Sequence, residues 1–298
     1  DTSTITVTDA ATLSDANEIN NFTTAQITLQ KVQDSYDNLI AIDKLTTSEV
    51  SMADAAVTVT GSIDKNKVDA LRLTTSGNLT VKDLTEDKGN LATIASYNDV
   101  ILSNTNITVT DDVNKSEVVT INTYNDAGGV VTVSSITDSF SNISSVQGTA
   151  GISIGTALIT ATDAVTLENT NSLNGFTNAQ VTLNAVQDTV SNITSINGLT
   201  TSEVSMASAA VTVTDAASLD NANAINGFTD GQVTLNSVED SYANIQDIKK
   251  IDDAQVNMGA AAVKVSDNVT KTEVDDLRTD TTGNITLTSL TEDKGDLA

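Results

Sequence analysis

The sequence predicts a right-handed parallel β-solenoid with short helices, made of about twelve coils in six repeats of about 52 residues. Three observations lead to this fold. A strand-like phrase recurs at a nearly constant step, each copy continues into a helix-like segment, and the composition excludes a disulfide framework and a membrane-spanning segment.

The repeats are visible from the first strand-like phrase, Ile5 to Thr8, whose copies follow one another at steps of 52, 50, 52, 52 and 52 residues. The longer phrase LTEDKGNL at 84–91 returns almost unchanged at 290–297. We therefore predict a single solenoid array over residues 1–298, and we expect it to be a segment of a longer array. The six copies begin at Ile5, Val57, Ile107, Ile159, Val211 and Val263.

Each repeat divides into two similar coils, and the fifth repeat shows the elements most clearly. Residues 211–214 alternate valine with threonine, which is typical of a half-buried strand. The segment from Leu219 to Ile225 has apolar residues at helical spacing. A helix between two strands favours a parallel crossover, so each half-repeat should form one coil. Twelve coils at about 4.8 Å per strand would give a rod of about 55 Å.

We expect valine, isoleucine and leucine to fill the interior together with the phenylalanines Phe22, Phe176 and Phe228. Aspartates follow the strand phrases, where a helix N-cap would accept the first free N–H groups. The predicted N-caps are Asp9, Asp111, Asp163, Asp215 and Asp267 in one coil of the repeat, and Asp34, Asp138, Asp188 and Asp240 in the other.

A threonine recurs at one strand position in eleven of the twelve coils, with Lys264 as the exception. Flat Thr-x-Thr rows resemble the ice-binding faces of β-solenoid antifreeze proteins. Threonine is also a good strand former whose hydroxyl suits the wet face of a sheet. The threonines of this predicted ladder are Thr6, Thr28, Thr58, Thr80, Thr108, Thr132, Thr160, Thr182, Thr212, Thr234 and Thr286.

Hard oxygen donors cluster in the fifth repeat, where Asp240, Asn244, Asp252 and Asp253 are the candidate ligands for Ca²⁺. Calcium is the one cofactor that the sequence suggests, although no EF-hand loop or calcium-binding nonapeptide is present. Helix capping and a solvated acidic surface are the alternative roles. Asparagine also recurs at one position of the repeat, where it could form a buried amide ladder or part of an exposed helix surface. This asparagine column consists of Asn38, Asn90, Asn142, Asn192 and Asn244, with Asp296 completing it.

Composition excludes several functions. The chain has no His and no Cys, which removes imidazole bases, thiol nucleophiles and the softer metal centres. Fourteen basic residues against 40 acidic ones give a net charge of −26, which opposes binding to nucleic acid and to anionic membrane surfaces. No apolar run is long enough to span a bilayer. We predict that the protein is not an enzyme.

The phrases VTVTDAA at 211–217 and VQDTVSNI at 186–193 resemble repeats of very large, Cys-free, secreted bacterial surface proteins, including cyanobacterial ones. This resemblance covers essentially the whole chain. It implies export, by a type I route, to the cell surface or the extracellular space. The predicted function is a structural repeat protein that associates with itself, end to end or laterally, in a filament, surface layer or matrix fibre. The alternatives are an adhesin stalk or binding module and an ice-binding threonine face.

Overall fold

In the computed structural model, the chain is described over residues 2–45, 49–126, 128–199, 203–251 and 255–292. It folds into two compact units, one of residues 1–136 and 145–156 and the other of residues 137–144 and 157–298. Strands and short helices alternate throughout. No helix in these described ranges is both long enough and apolar enough to cross a membrane.

Long and short strands follow a fixed order along the chain. The long strands have six to nine residues, and the short ones have two. The long strands are β1 (Ile5–Ala11), β2 (Ile27–Ser35), β4 (Ala56–Ile63), β5 (Leu79–Glu86), β7 (Asn106–Val113), β8 (Val131–Asp138), β10 (Leu158–Val165), β11 (Val181–Asp188), β13 (Ala210–Ala217), β14 (Val233–Asp240), β16 (Ala262–Val269) and β17 (Ile285–Leu290). The short ones are β3 (Val50–Ser51), β6 (Val100–Ile101), β9 (Ile152–Ser153), β12 (Val204–Ser205) and β15 (Val256–Asn257).

A helix of eight to ten residues follows each long strand that leads into another coil. The predicted helix from Leu219 to Ile225 is confirmed and extends to Asn226. The helices are α1 (Leu13–Asn20), α2 (Tyr36–Asp43), α3 (Lys65–Arg72), α4 (Lys88–Ala95), α5 (Lys115–Asn122), α6 (Phe140–Gln147), α7 (Leu167–Phe176), α8 (Val190–Asn197), α9 (Leu219–Asn226), α10 (Tyr242–Lys250) and α11 (Lys271–Asp280).

All strand pairs within each unit are parallel, and each strand pairs with the strand of the next coil. Strands in successive coils, joined by crossover helices, form the predicted right-handed parallel β-solenoid, and this confirms the fold class. The register between paired strands is not constant, because it shifts along the strand at every second coil. Strand β12 pairs with the start of β11, at Val204 and Val181, whereas β13 pairs with its second half, at Val211 and Val186.

The core of both units is aliphatic. In β13, Val211, Val213 and Ala217 are buried and Thr212 is partly exposed, as the alternation predicts. Burial of each such valine, leucine or isoleucine stabilises the fold by about 1.5–3 kcal/mol. The register shifts between Val213 and Ala216, so a bulge at the end of the strand places Asp215 outside the ladder.

The phenylalanines do not fill the interior, so that prediction was wrong. Phe22 is 65% exposed, Phe176 and Phe228 are only partly buried, and no aromatic residue of the described chain is fully buried. Phe22 and Phe228 lie at the corner just after an odd-numbered helix, and Phe176 is the last residue of one. The buried residue at this corner is the threonine that follows each ring, such as Thr229.

Candidate functional site

Carboxylates at the ends of the strands connect each coil to its neighbour. A side-chain oxygen from one coil accepts a hydrogen bond from the first N–H of the helix in the preceding coil, and this bond satisfies a donor that has no intrahelical partner. The bond measures 2.7–3.0 Å between Leu13 and Asp34, Lys65 and Glu86, Lys88 and Asp111, Phe140 and Asp163, Leu167 and Asp188, Val190 and Asp215, Leu219 and Asp240, and Tyr242 and Asp267. The N–H of Lys271 donates to Glu292 in the same way.

The predicted N-caps are therefore corrected, because none of these aspartates caps the helix of its own coil. Asp9 lies within β1, while Thr12 caps α1. Asp138 accepts from Ser139 and Asn142 of its own coil, and the remaining aspartates accept from the helix of the preceding coil. Gly61, with φ +79°, replaces the carboxylate in β4. The residues whose side chains accept from their own helix are Thr12, Ser35, Asp64, Asp87, Asn114, Ser139, Thr166, Thr189, Ser218, Ser241 and Thr270.

Asp240 and Asn244, two of the four candidate calcium ligands, form a hydrogen-bonded pair. Asp240 accepts from the N–H of Leu219 at 3.0 Å, from the N–H of Ser241 at 2.8 Å and from the side-chain amide of Asn244 at 2.8 Å. Both carboxylate oxygens thus already face N–H donors. The other two candidates, Asp252 and Asp253, lie outside the described residues.

The same three-donor arrangement holds Asp34 and Asp188. Partial burial raises the pKa of Asp34, Asp188 and Asp240, but the helix N–H of the preceding coil, the asparagine amide and the following N–H lower it. The hydrogen bonds outweigh desolvation, so each of these pKa values lies below that of an ordinary aspartate. The geometry is that of a charged structural capping group.

We expect the free energy of unfolding to fall when the pH drops below about 4. Because the pKa of Asp34, Asp188 and Asp240 is lowered in the folded state, their stabilisation is complete above the unfolded pKa of about 3.9 and is lost as the pH falls through the folded pKa. Urea unfolding followed by circular dichroism between neutral and acid pH measures this loss. The triple variant Asp34→Asn, Asp188→Asn, Asp240→Asn should show a weaker acid dependence, and an unchanged dependence would contradict the assignment.

The asparagine column is neither an amide ladder between coils nor a free helix surface. Asn38, Asn142, Asn192 and Asn244 each donate to the aspartate four residues earlier, at 2.8 Å. Asn90 donates in the same way to Glu86 and Asp87. Asp296 lies outside the described residues. Asparagine therefore orients the carboxylate within its own coil, and the carboxylate makes the contact with the helix of the preceding coil.

The predicted threonine ladder is not continuous. Thr212 lies opposite Thr234, but the shifted register places Gln187 opposite Thr212 and Asn257 opposite Thr234. The first four repeats show the same pairs of threonines, and the residues that face these pairs in neighbouring strands are Ser51, Gln33, Ile101, Ser153 and Ser205, with Thr85 opposite Thr108 as the exception. In the sixth repeat Lys264 faces Thr286. This arrangement does not build one flat threonine face within a unit, and it favours a structural role for these residues.

A second set of threonines closes the coils and was missed from the sequence. The hydroxyl of Thr229 donates to the carbonyl of Ala209 at 2.6 Å and accepts from the N–H of Gly231 at 2.9 Å. The recurrence of threonine directly after the corner position, at steps close to 52 residues, was a usable signal. Equivalent buried threonines are Thr23, Thr75, Thr177 and Thr281.

One polar cluster departs from the repeat pattern. Arg72 donates from Nε to both oxygens of Asp99, at 3.0 and 2.8 Å, and its guanidinium lies 3.8 Å from the ring centre of Tyr97. The Tyr97 hydroxyl donates to Asp69 at 2.9 Å, and Lys65 binds the same carboxylate at 2.5 Å. The charges neutralise one another, so this cluster joins two coils and offers no reactive group.

Among the residues that the structure describes, no group of three or more Asp or Glu side chains is placed to hold a metal ion. Calcium binding therefore stays a prediction. Comparison with known proteins gives no match to any family model, to any curated protein or to any solved structure.

Proposed function

We propose that this protein is a non-enzymatic structural repeat protein of the cell surface or the extracellular space, and that it associates with itself in a filament, surface layer or matrix fibre. The observation that carries the proposal is the carboxylate bridge from a strand to the helix of the preceding coil, which recurs in both units. When every coil makes the same contact with its neighbour, further coils can be added to the array through that same contact.

The contacts that hold the coils together are local. The carboxylate bridges join residues 21 to 25 positions apart, and the hydroxyls that close each coil join residues 20 positions apart. Each coil is thus stabilised by its immediate neighbours, as in other solenoids, where stability is roughly a sum of repeat and interface terms. This is the behaviour expected of a stiff scaffold.

The chemistry of the side chains supports a role without catalysis. There is no His or Cys, and the carboxylates with lowered pKa values, such as Asp188 and Asp240, are bound to N–H donors. The extracellular location rests on the resemblance of the repeats to secreted surface proteins. A net charge of −26 would keep chains apart at low ionic strength, so we propose that divalent cations promote their lateral association.

Electron microscopy of the native material tests the proposal, with Ca²⁺ present and after removal of Ca²⁺ by a chelator at matched ionic strength. We expect continuous fibres or sheets that disperse on chelation and reform when Ca²⁺ returns. Assemblies that survive chelation would support the structural role but contradict the role of divalent cations. Isolated particles under every condition would overturn the structural proposal and favour a stalk or binding module.

A further inference from the structure

Tyr124 stands between two surface grooves of the N-terminal unit. It follows α5 and is only partly buried. One groove, of about 360 Å³, lies at β6 and is lined by the apolar residues Val100, Ile101 and Leu102 and by the polar residues Ser103 and Asp126. The second groove, of about 330 Å³, lies at the start of α5. Both are at the lower end of the size range of small-molecule sites.

The second groove presents hydroxyl groups and no net charge. Ser116 and Thr120 line it with Ile121, and the two charged residues beside them neutralise each other, because Lys88 Nζ lies 2.9 Å from Glu117. The ring of Tyr124 is therefore bordered on this side by hydroxyls and aliphatic surface. Such a lining suits an uncharged ligand that carries both C–H faces and hydroxyl groups.

The Tyr124 hydroxyl makes no hydrogen bond within the described chain, and this distinguishes it from two other tyrosines. The hydroxyl of Tyr97 donates to Asp69 at 2.9 Å, and that of Tyr242 donates to Asp276 at 3.2 Å. Those two rings are held in polar networks of the fold. Tyr124 keeps both a donor and an acceptor for a molecule outside the protein.

The corner beside Tyr124 has a specific backbone conformation. Asn104 and Asp126, with φ of 63° and 50°, are the two non-glycine residues of the described chain with positive φ. The N–H of Asn104 donates to the carbonyl of Asn125 at 3.0 Å, and the hydroxyl of Ser103 donates to Asp126 at 2.8 Å. The second bond joins two residues that line the first groove, and the positive φ of Asp126 has a conformational cost that the fold must offset.

The geometry points to a saccharide-binding site centred on Tyr124, whose ligand is a neutral oligosaccharide. Sugar rings would lie in the two grooves with a C–H face against the aromatic ring, while Asp126, Ser116 and the Tyr124 hydroxyl bond their hydroxyl groups. An acidic polysaccharide would be repelled by the charge of −26. A basic peptide would find acidic groups over the whole surface and would gain little from the neutral second groove. This site goes beyond the proposed scaffold function and does not depend on it.

Tyrosine fluorescence of the whole chain, which has no Trp, measures binding directly. The probes are cellotetraose, maltotetraose and chitotetraose, with tetragalacturonate and tetralysine as charged comparisons. We expect at least one neutral tetrasaccharide to bind and to change the fluorescence. Tyr124→Ala should weaken its binding about tenfold or more, as the loss of an aromatic anchor does. Tyr36→Ala, which changes a partly buried tyrosine of the same unit that lines neither groove, should leave the affinity unchanged.

Circular dichroism confirms that each variant is folded, and Tyr124→Phe, which keeps the ring but loses the hydroxyl, should bind more weakly than the unmodified protein and more tightly than Tyr124→Ala. If Tyr124→Ala does not fold, saturation-transfer NMR on the unmodified protein decides, because the sugar C–H protons should receive magnetisation from the aromatic ring. Failure of all three neutral tetrasaccharides to bind, or binding that Tyr124→Ala leaves unchanged, would overturn the site. So would binding of tetralysine alone that is lost in Tyr124→Ala, since the groove would then be a peptide site.

Discussion

We expect replacement of Leu71 by alanine to lower the free energy of unfolding of the N-terminal unit by about 2–5 kcal/mol. Leu71 lies on the inner face of α3 and is fully buried. Its truncation removes apolar contacts and leaves a cavity, and the stacked coils on either side restrict how far the site can collapse. Urea unfolding followed by circular dichroism measures the loss, and hydrogen exchange shows whether it is concentrated around α3 and the adjacent coils.

Leu73 provides a matched control two residues away. It is the C-cap of the same helix and is 89% exposed. Leu73→Ala makes the same chemical change without removing buried surface, so its effect should stay within about 0.5 kcal/mol. Equal effects of the two variants would contradict the structure, in which Leu71 is buried in the core and Leu73 is exposed to solvent. A small effect of Leu71→Ala alone would mean that the coils repack around it.

The fold class was predictable from the sequence because a solenoid repeats its pattern. The alternation at Val211 and Val213 fixes the inward face of a strand, and the step of about 52 residues stacks equivalent strands. The shift of register at every second coil was not predictable in this way. It depends on the two-residue strands, such as Val204–Ser205, which are too short to show a period of their own.

The direction of the polar side chains was harder to predict than their positions. Asp215 was predicted to cap the helix of its own coil, but a bulge turns it towards α8 of the preceding coil, and the sequence does not show this bulge. The groove at Tyr124 gave no sequence signal, since it is formed by residues about 25 positions apart and by the positive φ of Asn104 and Asp126. Residues that act within one coil can be identified from the periodicity of the sequence. Residues that act between coils can be identified only when the register of the paired strands is known.

The bridge between coils should be measurable at a single carboxylate. Asp240→Ala leaves the N–H of Leu219, the N–H of Ser241 and the amide of Asn244 without their acceptor. An ordinary N-cap replacement costs about 0.5–2 kcal/mol, and a hydrogen bond to a charged group contributes about 1.5–3 kcal/mol. Because water reaches this partly exposed site and replaces part of the loss, we expect about 1–3 kcal/mol less stability in urea unfolding of the C-terminal unit.

Asp230→Ala is the control, because it removes the same charge from an exposed loop ten residues earlier in that unit. Both variants relieve the same repulsion in a chain of charge −26, so their difference isolates the capping bonds. Asp240→Asn, which keeps one carbonyl oxygen, should fall between them. If Asp240→Ala were no less stable than Asp230→Ala, the carboxylate would add nothing to the stacking of coils, and the repeated bridge could not be what stabilises the scaffold.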